Sequence, residues 1–142
     1  MKVFWFNLEA VKARLENAVQ AMAEKHPEVA EVWLFGSVAR GEAVPGSDAD
    51  LLVVLEACDL PFSERSVAYQ PEFCGVGVDI FAYTQDELLA MEAQGNPFLA
   101  GVNKAKICLY QRAKWETGFY SKSSILHRRH PFPHDFYILV PR

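Results

Sequence analysis

The 142-residue chain contains no apolar run approaching the ~20 residues that cross a bilayer core, so no membrane-spanning helix is expected. A secretory leader does not fit either: the apolar run Val3 to Phe6 is followed at once by Asn7, Glu9 and Lys12. A cytoplasmic location is the expectation. Cysteine is scarce, and Cys58, Cys74 and Cys108 are odd in number and lack C-x-x-C spacing. That argues against a disulfide framework or a zinc site and leaves buried, reduced thiols. Basic charge is short where chemistry is concentrated: residues 1–112 hold 9 Lys and Arg against 16 Asp and Glu, whereas residues 113–142 hold 5 against 2. An acidic body releases no counterions from a nucleic-acid backbone, so a polymerase-like role on DNA is not expected. Internal repeats are absent.

What remains is an ordinary globular composition, 51% hydrophobic and 23% charged. At this length one domain is expected, burying roughly two thirds of its unfolded surface. Leu8, Val11, Leu15, Ala18, Val19 and Met22 recur at helical spacing. Asn7 can cap that helix, Phe6 and Val11 can staple it, and His26-Pro27 ends it. Between Pro61 and Pro71 the pattern admits either a short helix or a loop over the site. Thr84-Gln85-Asp86-Glu87 reads as a capping box opening a helix that stops near Gly95. Asn96-Pro97 opens another, and Lys106 to Tyr110 reads as a last strand.

The chemistry lies in Val32 to Leu55, VWLFGSVARGEAVPGSDADLLVVL. Four large apolar residues, Val32 to Phe35, read as a buried strand stopped by Gly36. Ser37 then starts a short helical stretch, with the N–H groups of a helix start beside its hydroxyl, which suits a phosphate. Arg40, one turn on, can offer phosphate a planar donor fork, or be simply solvated. After the turn Val44-Pro45-Gly46-Ser47 come Asp48, Ala49 and Asp50, at the mouth of the strand Leu51 to Leu55. Ser47 is expected to close that turn. In extended backbone Asp48 and Asp50 share a face with Cα atoms about 7 Å apart. Two carboxylates so close repel unless a cation lies between them or one is protonated. A third, Asp79, is the single charge in the strand-like Gly75 to Tyr83 and needs a partner there. Three carboxylates on one sheet face could hold one or two Mg²⁺ ions.

These residues carry a resemblance. Gly36-Ser37-Val38-Ala39-Arg40-Gly41, then Ser47-Asp48-Ala49-Asp50-Leu51, then the isolated Asp79, are similar to the signature of the nucleotidyltransferase superfamily of the DNA polymerase beta type. The chain most closely resembles its minimal, single-domain members, from about Leu8 to Tyr110. The resemblance implies an α+β fold, a small mixed sheet with helices packed on one face, occupying residues 1–112. It implies Asp48, Asp50 and Asp79 as catalytic residues and ligands of two Mg²⁺ ions, with Gly36, Ser37, Arg40 and Ser47 at the nucleotide. It further implies transfer of AMP from ATP to an acceptor. Minimal members resemble antitoxins that adenylylate a helical HEPN-type partner, so a tyrosine of such a partner is the acceptor implied. Two alternatives stay open: a non-catalytic antitoxin or assembly subunit acting by binding, homo- or hetero-oligomeric, and a small-molecule nucleotidyltransferase.

Beyond Arg112 the texture changes and the resemblance stops. Residues 113–142 read as an irregular or loosely docked tail, in which Ile138-Leu139-Val140 could add an edge strand. His127, His130 and His134 with Asp135 have helical spacing, but Pro131 and Pro133 prevent a continuous helix.

Overall fold

Asn7 caps the first helix: its side chain accepts a hydrogen bond from the Ala10 N–H at 3.0 Å at the start of α1, Leu8–Lys25. This computed structural model describes residues 7–112. The Phe6 half of the expected staple, the tail, its strand and its histidines lie outside the described residues. Along α1, Val11, Leu15, Val19, Met22 and Ala23 are buried, which confirms the helical stripe. The elements that follow are β1 (Val29–Phe35), α2 (Gly36–Arg40), β2 (Ala49–Leu55), α3 (Phe62–Ala68), β3 (Val78–Thr84), α4 (Gln85–Ala93), α5 (Pro97–Lys104) and β4 (Ile107–Gln111).

The four strands form one mixed sheet in the order β3-β2-β1-β4. Central β1 runs antiparallel to β2 and β4, while β2 and β3 are parallel. Parallel neighbours need a crossover, and α3 supplies it. The expected α+β class and mixed sheet are what the chain adopts. Side chains alternate between faces, and each face has a core. On one, α1 packs over Val32, Leu34, Leu51, Val53, Leu55, Ile80, Ala82 and Leu109. On the other, Trp33, Phe35, Leu52 and Val54 meet Leu88 of α4 and Leu99 and Val102 of α5. The layer of helices on one face is thus α1's, and a second, smaller cluster covers part of the opposite face.

Two local expectations are modified and one open choice is decided. Strand β1 begins at Val29, three residues before the apolar run, because Glu31 is buried within it, accepting hydrogen bonds from Trp33 Nε1 at 2.8 Å and Gln111 Nε2 at 3.3 Å. Strand β3 begins at Val78 rather than Gly75. The segment after Pro61 is the short helix of the two options: α3 lies along edge strand β3, where Arg65 donates to the Ala82 carbonyl at 3.1 Å. The capping box at Thr84 forms as expected. The three cysteines are free and half-buried, and burial pushes the Cys108 thiol up to about 12, where it stays protonated. Among the described residues no helix is long and apolar enough to cross a membrane.

Candidate active site

The site forms where the end of β1 meets the starts of β2 and β3. In the parallel register Asp50 of β2 is the partner of Asp79 of β3, and in the antiparallel one it is the partner of Phe35. Partners in register share a face, so the Asp50 and Asp79 carboxylates stand side by side. Their face is the one bearing Phe35 and Phe81, whose rings meet edge to face at 5.6 Å between centroids. Asp79 is exposed at the second position of β3, not enclosed mid-strand, so water meets part of its need for a partner. Asp48 precedes β2 and is also exposed.

Two glycines make room for these carboxylates. Gly36 has φ +80°, and a Cβ there would collide with the Asp50 carboxylate, whose Cγ would be 3.2 Å away. The residue between β1 and α2 must therefore lack a side chain for two separate reasons, backbone and space. A Cβ on Gly77 would collide with Asp48 in the same way, while the Gly77 carbonyl accepts the Ala49 N–H at 2.8 Å. Gly77 was not foreseen, since only the pairing of β2 with β3 brings Asp48 to it. The Gly75-Val76-Gly77 spacing was the sole signal.

Electrostatics bind the three carboxylates into one system. Burial and the charges of Asp79 and Asp48 raise the Asp50 carboxyl above its usual range, against a smaller opposing pull from Arg40. Arg40 itself pairs with Glu42 at 2.9 Å on the surface, so in this structure its fork serves a local ion pair. Ser37 is the second residue of α2, not its cap, and makes no capping hydrogen bond. Ser47 closes its turn as expected, its hydroxyl accepting the Val44 N–H at 2.9 Å. Gly36, Asp48, Asp50 and Asp79 are thus brought together, with Ser37 next to Gly36 in the chain; Arg40 is near enough to act on Asp50 but pairs with Glu42, and Ser47 is bonded within its turn.

Among the described residues no three His, Cys, Asp or Glu side chains are grouped as the ligands of a metal ion. The donor chemistry nevertheless fits a hard dication: all-oxygen ligands and a carboxyl already raised by its neighbours' charge, a repulsion that Mg²⁺ relieves.

Comparison with known proteins points the same way. Residues 15–93 match the family model described as nucleotidyltransferase domain. No curated protein matches the chain. Among solved structures, a candidate nucleotidyltransferase from Sulfolobus solfataricus is similar at a TM-score of 0.55 and 23% identity, over 75% of this chain and 86% of that one. A toxin-antitoxin structure with AMP-PNP is similar at 0.51 and 14%, over 80% and 82% of the two chains. At those identities the likeness is one of fold.

Proposed function

Because this chain belongs to the nucleotidyltransferase domain family, we propose that it transfers AMP from ATP to a tyrosine of a helical HEPN-type toxin, and so acts as that partner's antitoxin. The observation carrying the reading is the pairing of Asp50 with Asp79 beside a side-chain-free Gly36, with Asp48 two residues upstream. A surface of carboxylates at a glycine turn would repel a bare phosphate and supports a reading in which the nucleotide arrives with a metal ion.

In this reading Asp48, Asp50 and Asp79 hold Mg²⁺. When bound, the ions neutralise triphosphate charge and lower the pKa of the acceptor hydroxyl. The chain's own residues do the rest. Gly36 lets the triphosphate approach the backbone, and the Ser37 hydroxyl, free of capping duty, donates to a phosphate oxygen. The acceptor oxygen forms a bond to the α-phosphorus, the bond from that phosphorus to the bridging oxygen breaks, and pyrophosphate leaves. Asp79, exposed and next to Asp50, takes the acceptor's proton. Rate enhancement then comes from positioning and charge neutralisation. The toxin-antitoxin neighbour determined with AMP-PNP supports ATP and a toxin partner.

The test is mass spectrometry of the helical partner after incubation with this protein, ATP and Mg²⁺. The expected result is the mass of one AMP on a tyrosine, lost in an Asp48→Asn/Asp50→Asn double variant. An unmodified partner in a stable complex would instead establish neutralisation by contact alone.

A further inference from the structure

The turn before β2, the loop before β3 and the first turns of α1 enclose a cleft of about 310 Å³ that opens beside Asp48. Its walls include Val11, Pro45 and Val76, which are apolar, and Arg14, its sole Lys or Arg. The Arg14 side chain crosses to the loop, donating from Nε to the Cys74 carbonyl at 3.3 Å, and lies over Gly75, which stands at φ +96°. Phe73 lines the cleft with 82% of its surface in solvent, and Val44, adjoining Pro45, is 61% exposed. Of the four large hydrophobic residues exposed among the described ones, Phe73 lines the cleft and Val44 precedes its lining residue Pro45. Both belong to segments that also carry a site carboxylate or its glycine neighbour.

We infer that this cleft is the acceptor pocket of the proposed transferase and takes a tyrosine side chain flanked by acidic residues on a protein segment. The inference rests on the proposed function, whose acceptor it places. Its chemistry follows from the lining. Asp48 in the lining repels an anion, so the group that enters beside it is a neutral hydroxyl. Apolar walls and a free aromatic ring at the mouth favour a ring-sized body. Arg14, on the α1 side, complements a carboxylate next to that ring. Neither Gly36 nor Ser37, which take the triphosphate in the proposed function, lines the cleft, which is why the cleft is assigned to the acceptor.

The experiment is an amide-resolved NMR titration of the full chain with the blocked peptide Glu-Tyr-Glu, with Lys-Tyr-Lys, Glu-Phe-Glu and Mg²⁺-ATP as comparators. Glu-Tyr-Glu should shift the amides of Val11, Arg14, Val76 and Gly77, and Lys-Tyr-Lys should bind about fivefold more weakly. Arg14→Ala should abolish that difference, and Phe73→Ala should weaken both peptides, since both side chains are exposed and their loss spares the fold. Shifts elsewhere, no shift at millimolar peptide, equal affinity for all three peptides, or Mg²⁺-ATP moving the Val11 and Arg14 amides would overturn the assignment. Peptide binding in the cleft without AMP transfer to the tyrosine would leave the pocket standing and remove the proposed reaction instead.

Discussion

At Asp50 burial and two neighbouring carboxylates hold the carboxyl above its usual range. A folded-state pKa raised above the unfolded one gives stability that is full below the unfolded value and lost as pH rises through the folded value. At neutral pH the charged group therefore opposes folding of the metal-free chain. Asp50→Asn should raise the thermal midpoint of the metal-free protein while abolishing the further rise that Mg²⁺-ATP produces in the wild type. Thermal scans with and without Mg²⁺-ATP check both halves. The two glycines separate backbone strain from crowding. Gly36→Ala puts a side chain at φ +80° against a half-buried carboxylate and should cost about 1–3 kcal/mol of stability, read by urea unfolding. Gly77→Ala meets the flexible, exposed end of Asp48 at an ordinary φ, so stability should change by less than about 1 kcal/mol while Mg²⁺-ATP affinity still falls. The carboxylates were legible because their motif is local and alternation fixes their face. Gly77 was not, since its need for space arises only once β2 and β3 pair.

Among the elements, α3 shows what a local reading misses. Its seven residues have no side-chain cap, and its place along β3 is fixed by Arg65, only 6% exposed. That guanidinium grips Glu87 through two bonds, at 2.8 and 3.2 Å, and also holds the Leu60 carbonyl at 3.1 Å. Glu87 in turn accepts the Thr84 N–H at 2.8 Å in the capping box of α4. The box was visible as Thr84 to Glu87, but nothing local to Pro61–Pro71 announced a bond across more than twenty residues. Arg65→Ala should cost roughly 2 kcal/mol, chiefly by orphaning the Ala82 and Leu60 carbonyls, measured by urea denaturation. Arg65, outweighing burial, lowers the Glu87 carboxyl, with the Thr84 N–H assisting. A carboxylate with a lowered folded pKa contributes stability present above its unfolded value and lost as pH falls through the folded one. Urea midpoints measured across acid pH should therefore rise with pH less steeply in Glu87→Gln than in the wild type, at and below the ordinary carboxylate range.

Across the whole molecule, two cores lie on opposite faces of the sheet, and the carboxylates stand at the end where β1 gives way to α2. Leucine and valine spacing made α1 and the central strands legible. The apolar pattern starts β1 three residues late because Glu31 is an acidic side chain that the fold buries against Trp33 and Gln111, the latter supplied only by the β1–β4 pairing. The order of the strands and the second core were equally products of pairing at a distance. In the proposed function labour divides accordingly: the end of the sheet would hold nucleotide, and the cleft beside Asp48 would receive the acceptor.

Calorimetric titration of the full chain with a non-hydrolysable ATP analogue tests the central claim most directly. The account predicts one nucleotide per chain, binding that requires Mg²⁺, and loss of that binding in the Asp48→Asn/Asp50→Asn variant with its thermal unfolding still cooperative. Equal binding without Mg²⁺, or undiminished binding by the double variant, would contradict it.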